Sequence, residues 1–73
     1  MSNRPIDLLD HAKGKRIIVK LKNGRQATGL LMALDMHLNM WLNDAEVTED
    51  DKVTKYGKMF LRGDSVVFAS PAE

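Results

Sequence analysis

Hydrophobic and polar residues alternate in the first third of the chain. Ile17, Val19 and Leu21 occupy every second position, and an Asn-Gly pair follows at residues 23–24. A period of two is the pattern of a half-buried strand, and Asn-Gly between two such runs is the strongest short signal for a hairpin turn. The pattern therefore predicts an antiparallel hairpin of strands 16–21 and 26–34. Gly29, inside the second strand, indicates a sharp bend or a close backbone approach.

Three more strands are predicted after a short loop at residues 35–39. The third covers residues 40–47, and the last two cover residues 58–62 and 65–69, with Gly63 and Asp64 between them. Residues 48–57 are rich in charge, so we expect a mobile loop there. Pro71 ends the sheet, because proline cannot donate a ladder hydrogen bond.

A short helix is predicted at about residues 4–13. Pro5 lies in its first turn, Asp7 lies near its positive end and Gly14 closes it. Its apolar residues recur at three- and four-residue spacing, so one face can pack on a sheet.

The predicted fold is mainly β, with an N-terminal short helix on a five-stranded, strongly bent antiparallel barrel of the SH3-like or OB type, in one domain. The last two strands are apolar, and an uncovered edge of that kind pairs readily with another chain. Repeated head-to-tail pairing closes into a ring when the rotation permits.

Composition makes self-association the expected source of extra stability. A chain of 73 residues buries a small core, and with no cysteine it forms no disulfide. Without a secretory signal or an apolar run of membrane-spanning length, we expect a cytoplasmic protein with no membrane partner. The net charge is only +1, so any nucleic-acid binding must depend on where the charges lie.

Catalysis is not expected from the polar residues. Asp35 and His37 resemble an acid and imidazole pair, but nothing marks Ser65 or Ser70 as an activated nucleophile. Asp35, His37 and Asp64 together are a weak metal-ligand signal, so we expect neither a metal nor another cofactor.

Two loops carry a more informative combination of residues. The loop 35–39 contains an imidazole and an amide, and the segment 62–64 contains a guanidinium, a glycine and a carboxylate. A base can stack between His37 and Arg62, and the amide of Asn39 can donate and accept at once, as a pyrimidine edge requires. Ordinary turn chemistry also uses Asp, Asn and Gly, so these residues alone leave both interpretations open.

The stretch 29–42 resembles the first signature of the Sm and Sm-like (LSm) proteins, with Gly29, Asp35 and Asn39 at the family spacing. Residues 61–68 resemble the second signature, and residues 21–25 and 43–46 also look like family sequence. The resemblance covers nearly the whole chain and places the first Sm motif at about 16–47 and the second at about 58–70. The compact length, without an Arg-Gly tail, is similar to archaeal members built from one kind of chain.

The resemblance implies the Sm fold and a homo-oligomeric ring of six or seven subunits, in which strand four pairs with strand five of the next subunit. It implies that uridine-rich single-stranded RNA binds at the inner rim, for RNA processing as a scaffold or chaperone, with other RNA-processing proteins as further partners. The base would stack between His37 and Arg62, Asn39 would bond the uracil edge, Gly63 and Asp64 would add backbone contacts, and Asp35 would organise the loop.

Other positions admit two interpretations. Val47 stands where many family members have an acid, and Trp41 is larger than the usual aliphatic residue. Trp41 is either a packing residue or an exposed stacking platform for RNA. Arg4, His11 and the basic residues of the first strand are either a second RNA surface or solvated side chains. The alternative function is a protein-interaction adaptor whose barrel lacks a specific RNA pocket.

Overall fold

The computed structural model of the chain describes residues 9–72. Five antiparallel strands form one sheet in the order β4-β3-β2-β1-β5. This confirms the predicted mainly β, five-stranded architecture. The strands and the short 3-10 turn before the last strand are β1 (Arg16–Leu21), β2 (Gln26–Leu34), β3 (Met40–Glu49), β4 (Lys52–Leu61), the turn (Gly63–Ser65) and β5 (Val66–Pro71).

The predicted helix 4–13 lies mostly outside the described residues. Its described end, Leu9 and Asp10, is helical, and turns continue to Gly14. Gly14 has a φ of 81°, a left-handed conformation that favours glycine. Ala12 is buried and belongs to the hydrophobic core, so this end of the segment packs on the sheet.

The core is built from the alternating positions that the sequence indicated. Ile17 and Val19 in β1 are fully buried, and Leu31 in β2 and Leu42 in β3 face them. The β2–β3 register shifts between Thr28 and Leu30. A Cβ at Gly29 would lie 3.0–3.2 Å from atoms of β3, so Gly29 permits the close approach expected there.

The expectation of a loop at 48–57 is wrong. β3 continues to Glu49, β4 begins at Lys52 rather than at residue 58, and only Asp50 and Asp51 form the turn, with φ angles of 51° and 66°. The ladder is continuous from Glu49–Lys52 inward. Residues 52–58 are all exposed, so no alternation of apolar and polar side chains marks this part of the strand.

The edges of the sheet are β4 and β5, the two strands whose pattern pointed to open edges. Val67 and Phe68 of β5 are more than half exposed. A largely apolar groove of about 400 Å³ runs along this edge. It is lined by Leu9, Ala12, Leu38, Val66, Val67, Phe68, Ala69 and Pro71. Within residues 9–72, no helix has the length and apolar character needed to cross a membrane.

Candidate nucleic-acid interface

Two loops meet at one end of the sheet. Residues 35–39 join β2 to β3, and residues 62–65 join β4 to β5. The last rung of the β3–β4 ladder pairs Met40 with Leu61, both of them buried. Because antiparallel partners lie side by side, the next residues along each strand, Asn39 and Arg62, emerge together at the surface.

The carboxylate of Asp35 organises the first loop. Its Oδ1 accepts hydrogen bonds from the backbone N–H groups of His37 (2.8 Å) and Asn39 (3.1 Å), and its Oδ2 accepts one from Nδ2 of Asn39 (3.0 Å). Such local side-chain bonds replace the sheet ladder in a tight turn. The Asn39 side-chain bond is the main cause that lowers the pKa of Asp35, helped by the backbone bonds and the nearby His37 and opposed by burial.

The amide of Asn39 connects the two loops. Its Oδ1 accepts a 2.8 Å hydrogen bond from the backbone N–H of Gly63, while its Nδ2 donates to Asp35. A backbone N–H can only donate and an ionised carboxylate can only accept. The two partners therefore determine which end of the amide is oxygen, and one amide hydrogen and one oxygen lone pair remain for a ligand.

Gly63 lies against the backbone of the first loop. A Cβ at this position would overlap the carbonyl oxygen of His37 and reach within 3.0 Å of the carbonyl carbon of Leu38. Leu38 itself has a φ of 64°, an uncommon value for a leucine. The close contact thus requires both a glycine in the second loop and an unusual conformation in the first.

An open cleft of about 470 Å³ lies between the loops. Its lining consists of the five residues that the resemblance assigned to RNA: His37, Asn39, Arg62, Gly63 and Asp64. Asp35, the predicted loop organiser, is not in the lining but holds the first loop through the hydrogen bonds given above. The structure therefore brings together all the predicted site residues.

The guanidinium of Arg62 is exposed beside a carboxylate. It pairs with Asp64 at 3.1 Å, and the two side chains are 74% and 66% exposed. Ser65 donates hydrogen bonds to the backbone carbonyl of Arg62 from both its hydroxyl (2.7 Å) and its N–H (3.0 Å). The sequence gave no strong signal for this supporting role of Ser65, since a serine after Arg-Gly-Asp is compatible with many turns.

The groups that line the cleft are suited to recognising a ligand. It has flat polar groups, one oriented amide and solvent access, and the Ser65 hydroxyl is directed at a carbonyl rather than at His37. Among residues 9–72, no three His, Cys, Asp or Glu side chains are placed to hold a metal ion.

Val47 and Trp41 do not line the cleft. Val47 is partly buried and packs against the core, which explains an aliphatic residue there. Trp41 is 47% exposed and contacts Phe60, with ring centroids 5.4 Å apart.

Comparison with known proteins agrees with this arrangement. The family model of the LSM domain matches residues 7–71. The chain belongs to the LSM domain family. An snRNP Sm-like protein of Methanosarcina barkeri is 43% identical over 72 residues, which cover 97% of this LSM chain and 100% of that protein.

Solved structures confirm the Sm fold. The Sm protein of Pyrococcus abyssi in complex with a uridine heptamer aligns with a TM-score of 0.90 and 41% identity, covering 96% of this chain and 100% of that one. A heptameric archaeal Sm protein aligns with a TM-score of 0.87 and 39% identity, covering 92% and 98%.

Proposed function

We propose that this LSM chain forms a homo-oligomeric ring, a heptamer, and binds uridine-rich single-stranded RNA in the cleft of each subunit, without catalysis, as a scaffold or chaperone in RNA processing. The observation that carries the proposal is the Asn39 amide, which Asp35 and Gly63 orient in the lining of a cleft that also contains an imidazole and a guanidinium. The cytoplasmic location and other RNA-processing partners stay predictions.

The fixed amide favours uracil over cytosine. Uracil presents an N–H between two carbonyl oxygens, so it bonds an amide that accepts at its oxygen and donates at its nitrogen. Cytosine presents the reverse pattern at its ring nitrogen and amino group. To bind it in the same way, Asn39 would have to turn over, which would place its NH₂ against the Gly63 N–H and its oxygen against the Asp35 carboxylate.

The exposed edges support the ring. β4 and β5 lie at opposite ends of the strand order, so the free side of β4 in one subunit can pair with the free side of β5 in the next. The apolar groove along β5 would be covered by the same contact. The P. abyssi protein was solved with a uridine heptamer and an archaeal relative as a heptamer.

Repetition would supply the affinity. One stacked base contributes about 1–3 kcal/mol, which is weak alone. Several clefts facing one strand act at high effective concentration.

Binding of oligouridine and oligocytidine to the wild type, Asn39→Ala and Arg62→Ala tests the proposal, with native mass measurement of each protein. We expect a ring that prefers oligouridine, and loss of that preference in both variants. Arg25→Ala is the control, because it also removes an arginine that forms a surface ion pair, with Glu49, but one that does not line the cleft. A monomer, or equal binding of both oligomers by the wild type, would refute the proposal.

A further inference from the structure

A stripe of alternating aromatic and basic side chains follows β4 away from the cleft. Tyr56, Lys58, Phe60 and Arg62 occupy every second position and are all exposed. Side chains at every second position of a strand project from the same face. The inward positions beside Phe60, Met59 and Leu61, are partly or fully buried, which identifies the stripe as the outer face.

Trp41 widens this stripe on the neighbouring strand. It is the direct cross-strand partner of Phe60, and both rings are about half exposed although their centroids are only 5.4 Å apart. The flanking residues Met40 and Leu42 are fully buried, so Trp41 also projects outward. Two large aromatic rings at one rung of the ladder thus face solvent.

The stripe is continuous with the cleft. Arg62 belongs to both, and Trp41 and Phe60 lie two residues from Asn39 and Arg62 respectively. Two residues of a β-strand span about 7 Å. An RNA strand with one base in the cleft can therefore place its next nucleotide over the aromatic pair.

The charge of the stripe suits a polyanion such as RNA. β4 contains no acidic residue, and Lys58 faces Asn43 across the ladder, whereas Lys52 and Lys55 face Glu49 and Glu46. Aromatic rings interleaved with cations are the pattern by which proteins bind single strands of nucleic acid with little sequence preference.

The stripe is also compatible with a ring. Edge pairing of β4 would use backbone groups in the plane of the sheet, whereas the stripe side chains stand perpendicular to that plane.

We propose that Trp41 and Phe60, flanked by Lys58 and Arg62, form a second RNA contact that stacks the nucleotides next to the uridine in the cleft, with little preference among bases. The proposal rests on the proposed RNA binding at the cleft. Adenosine, which has the larger base, should occupy the stripe well.

Trp41 provides its own probe because it is the only tryptophan of the chain. The experiment compares heptauridine with heptauridine extended by a run of adenosines. We expect the extended RNA to quench Trp41 fluorescence strongly and to bind about fivefold or more tighter, as one added stacked base implies. Phe60→Leu and Trp41→Leu should remove this gain in affinity and leave heptauridine affinity unchanged. Lys58→Glu should also reduce the gain from the added adenosines. Val53→Ala is the control, since Val53 is an equally exposed apolar residue of β4 outside the stripe.

The outcomes separate the two proposals. Failure of the wild type to bind heptauridine would refute the proposed function. Two results would refute the stripe alone, given normal binding of heptauridine by the wild type. One is that the adenosine-extended RNA does not quench Trp41 fluorescence, and the other is that Trp41→Leu lowers the affinity for both RNAs equally. A lower native mass of Trp41→Leu would do the same and would assign the aromatic pair to the subunit interface.

Discussion

The side-chain oxygen of Asn39 accepts a 2.8 Å hydrogen bond from the backbone N–H of Gly63, 24 residues further along the chain. This bond joins the loop before β3 to the loop after β4. Because the same amide donates to Asp35, its orientation depends on both loops.

Asp35→Asn should therefore weaken the preference for uridine. An amide at residue 35 brings an NH₂ group towards the NH₂ of Asn39, which either breaks that bond or reverses the Asn39 amide. We expect the ratio of oligouridine to oligocytidine affinity to fall roughly threefold to tenfold, the effect of a net hydrogen bond of ~0.5–1.5 kcal/mol. Competition binding measures the ratio. Asp44→Asn is the control, because the Asp44 carboxylate pairs with Arg16 and lies outside the cleft lining; an unchanged ratio in Asp35→Asn would contradict the role given to Asp35.

Gly63→Ala should disrupt the contact between the loops. The new methyl group would overlap the backbone carbonyl of His37, which cannot move as a flexible side chain could. We expect the free energy of unfolding to fall by about 1–3 kcal/mol, as for other overpacked sites, with loss of oligouridine binding. Urea denaturation provides the measurement. Gly57→Ala serves as the matched control, since a Cβ there meets nothing within 4 Å; equal effects of the two substitutions would exclude a steric cause.

Acidic pH should lower the free energy of unfolding by protonating Asp35. Its pKa is lowered in the folded state from an ordinary value of 3.8, chiefly by the Asn39 side chain, so the ionised carboxylate stabilises the fold. This contribution is complete well above pH 3.8 and is lost as the pH falls through the lowered folded-state pKa. Urea denaturation from neutral to acidic pH should therefore show a stability difference between wild type and Asp35→Asn that shrinks below pH 3.8. A difference that stays constant throughout would rule out this linkage.

The turn between β3 and β4 should accept a stabilising change. Asp50 and Asp51 both have positive φ, and an Asn-Gly pair adopts such a two-residue turn with less strain. We expect the double variant Asp50→Asn, Asp51→Gly to raise the free energy of unfolding by roughly 1 kcal/mol or less, because relief of a Cβ at positive φ, about 1–2 kcal/mol, outweighs the entropic cost of a glycine, about 0.5–1 kcal/mol. Thermal or urea denaturation checks this. Lys55→Gly, placed within the strand, should instead lower it by about 0.5–1 kcal/mol, and a destabilised double variant would count against the turn geometry.

The same hairpin shows what the sequence could not predict. Burial on one face produces the alternation that identified β1 and β2, and both strands have the predicted bounds. Residues 52–58 of β4 are exposed, so their pairing with β3 produces no alternation of apolar and polar residues in the sequence. Two adjacent aspartates are also not a common turn signal. The cleft was predictable because its residues lie in two motifs of known spacing. The bond between Asn39 and Gly63 was not, because spacing along the chain does not reveal which atoms of two loops meet.

The strand order has one more consequence. The two outer strands differ, so each subunit offers one edge of each kind. A copy whose β5 edge is obstructed would still attach through β4 and would then block further addition, like a chain terminator in a polymerisation. Co-expressing a small fraction of such copies would deplete closed assemblies well beyond their own share of the mixture.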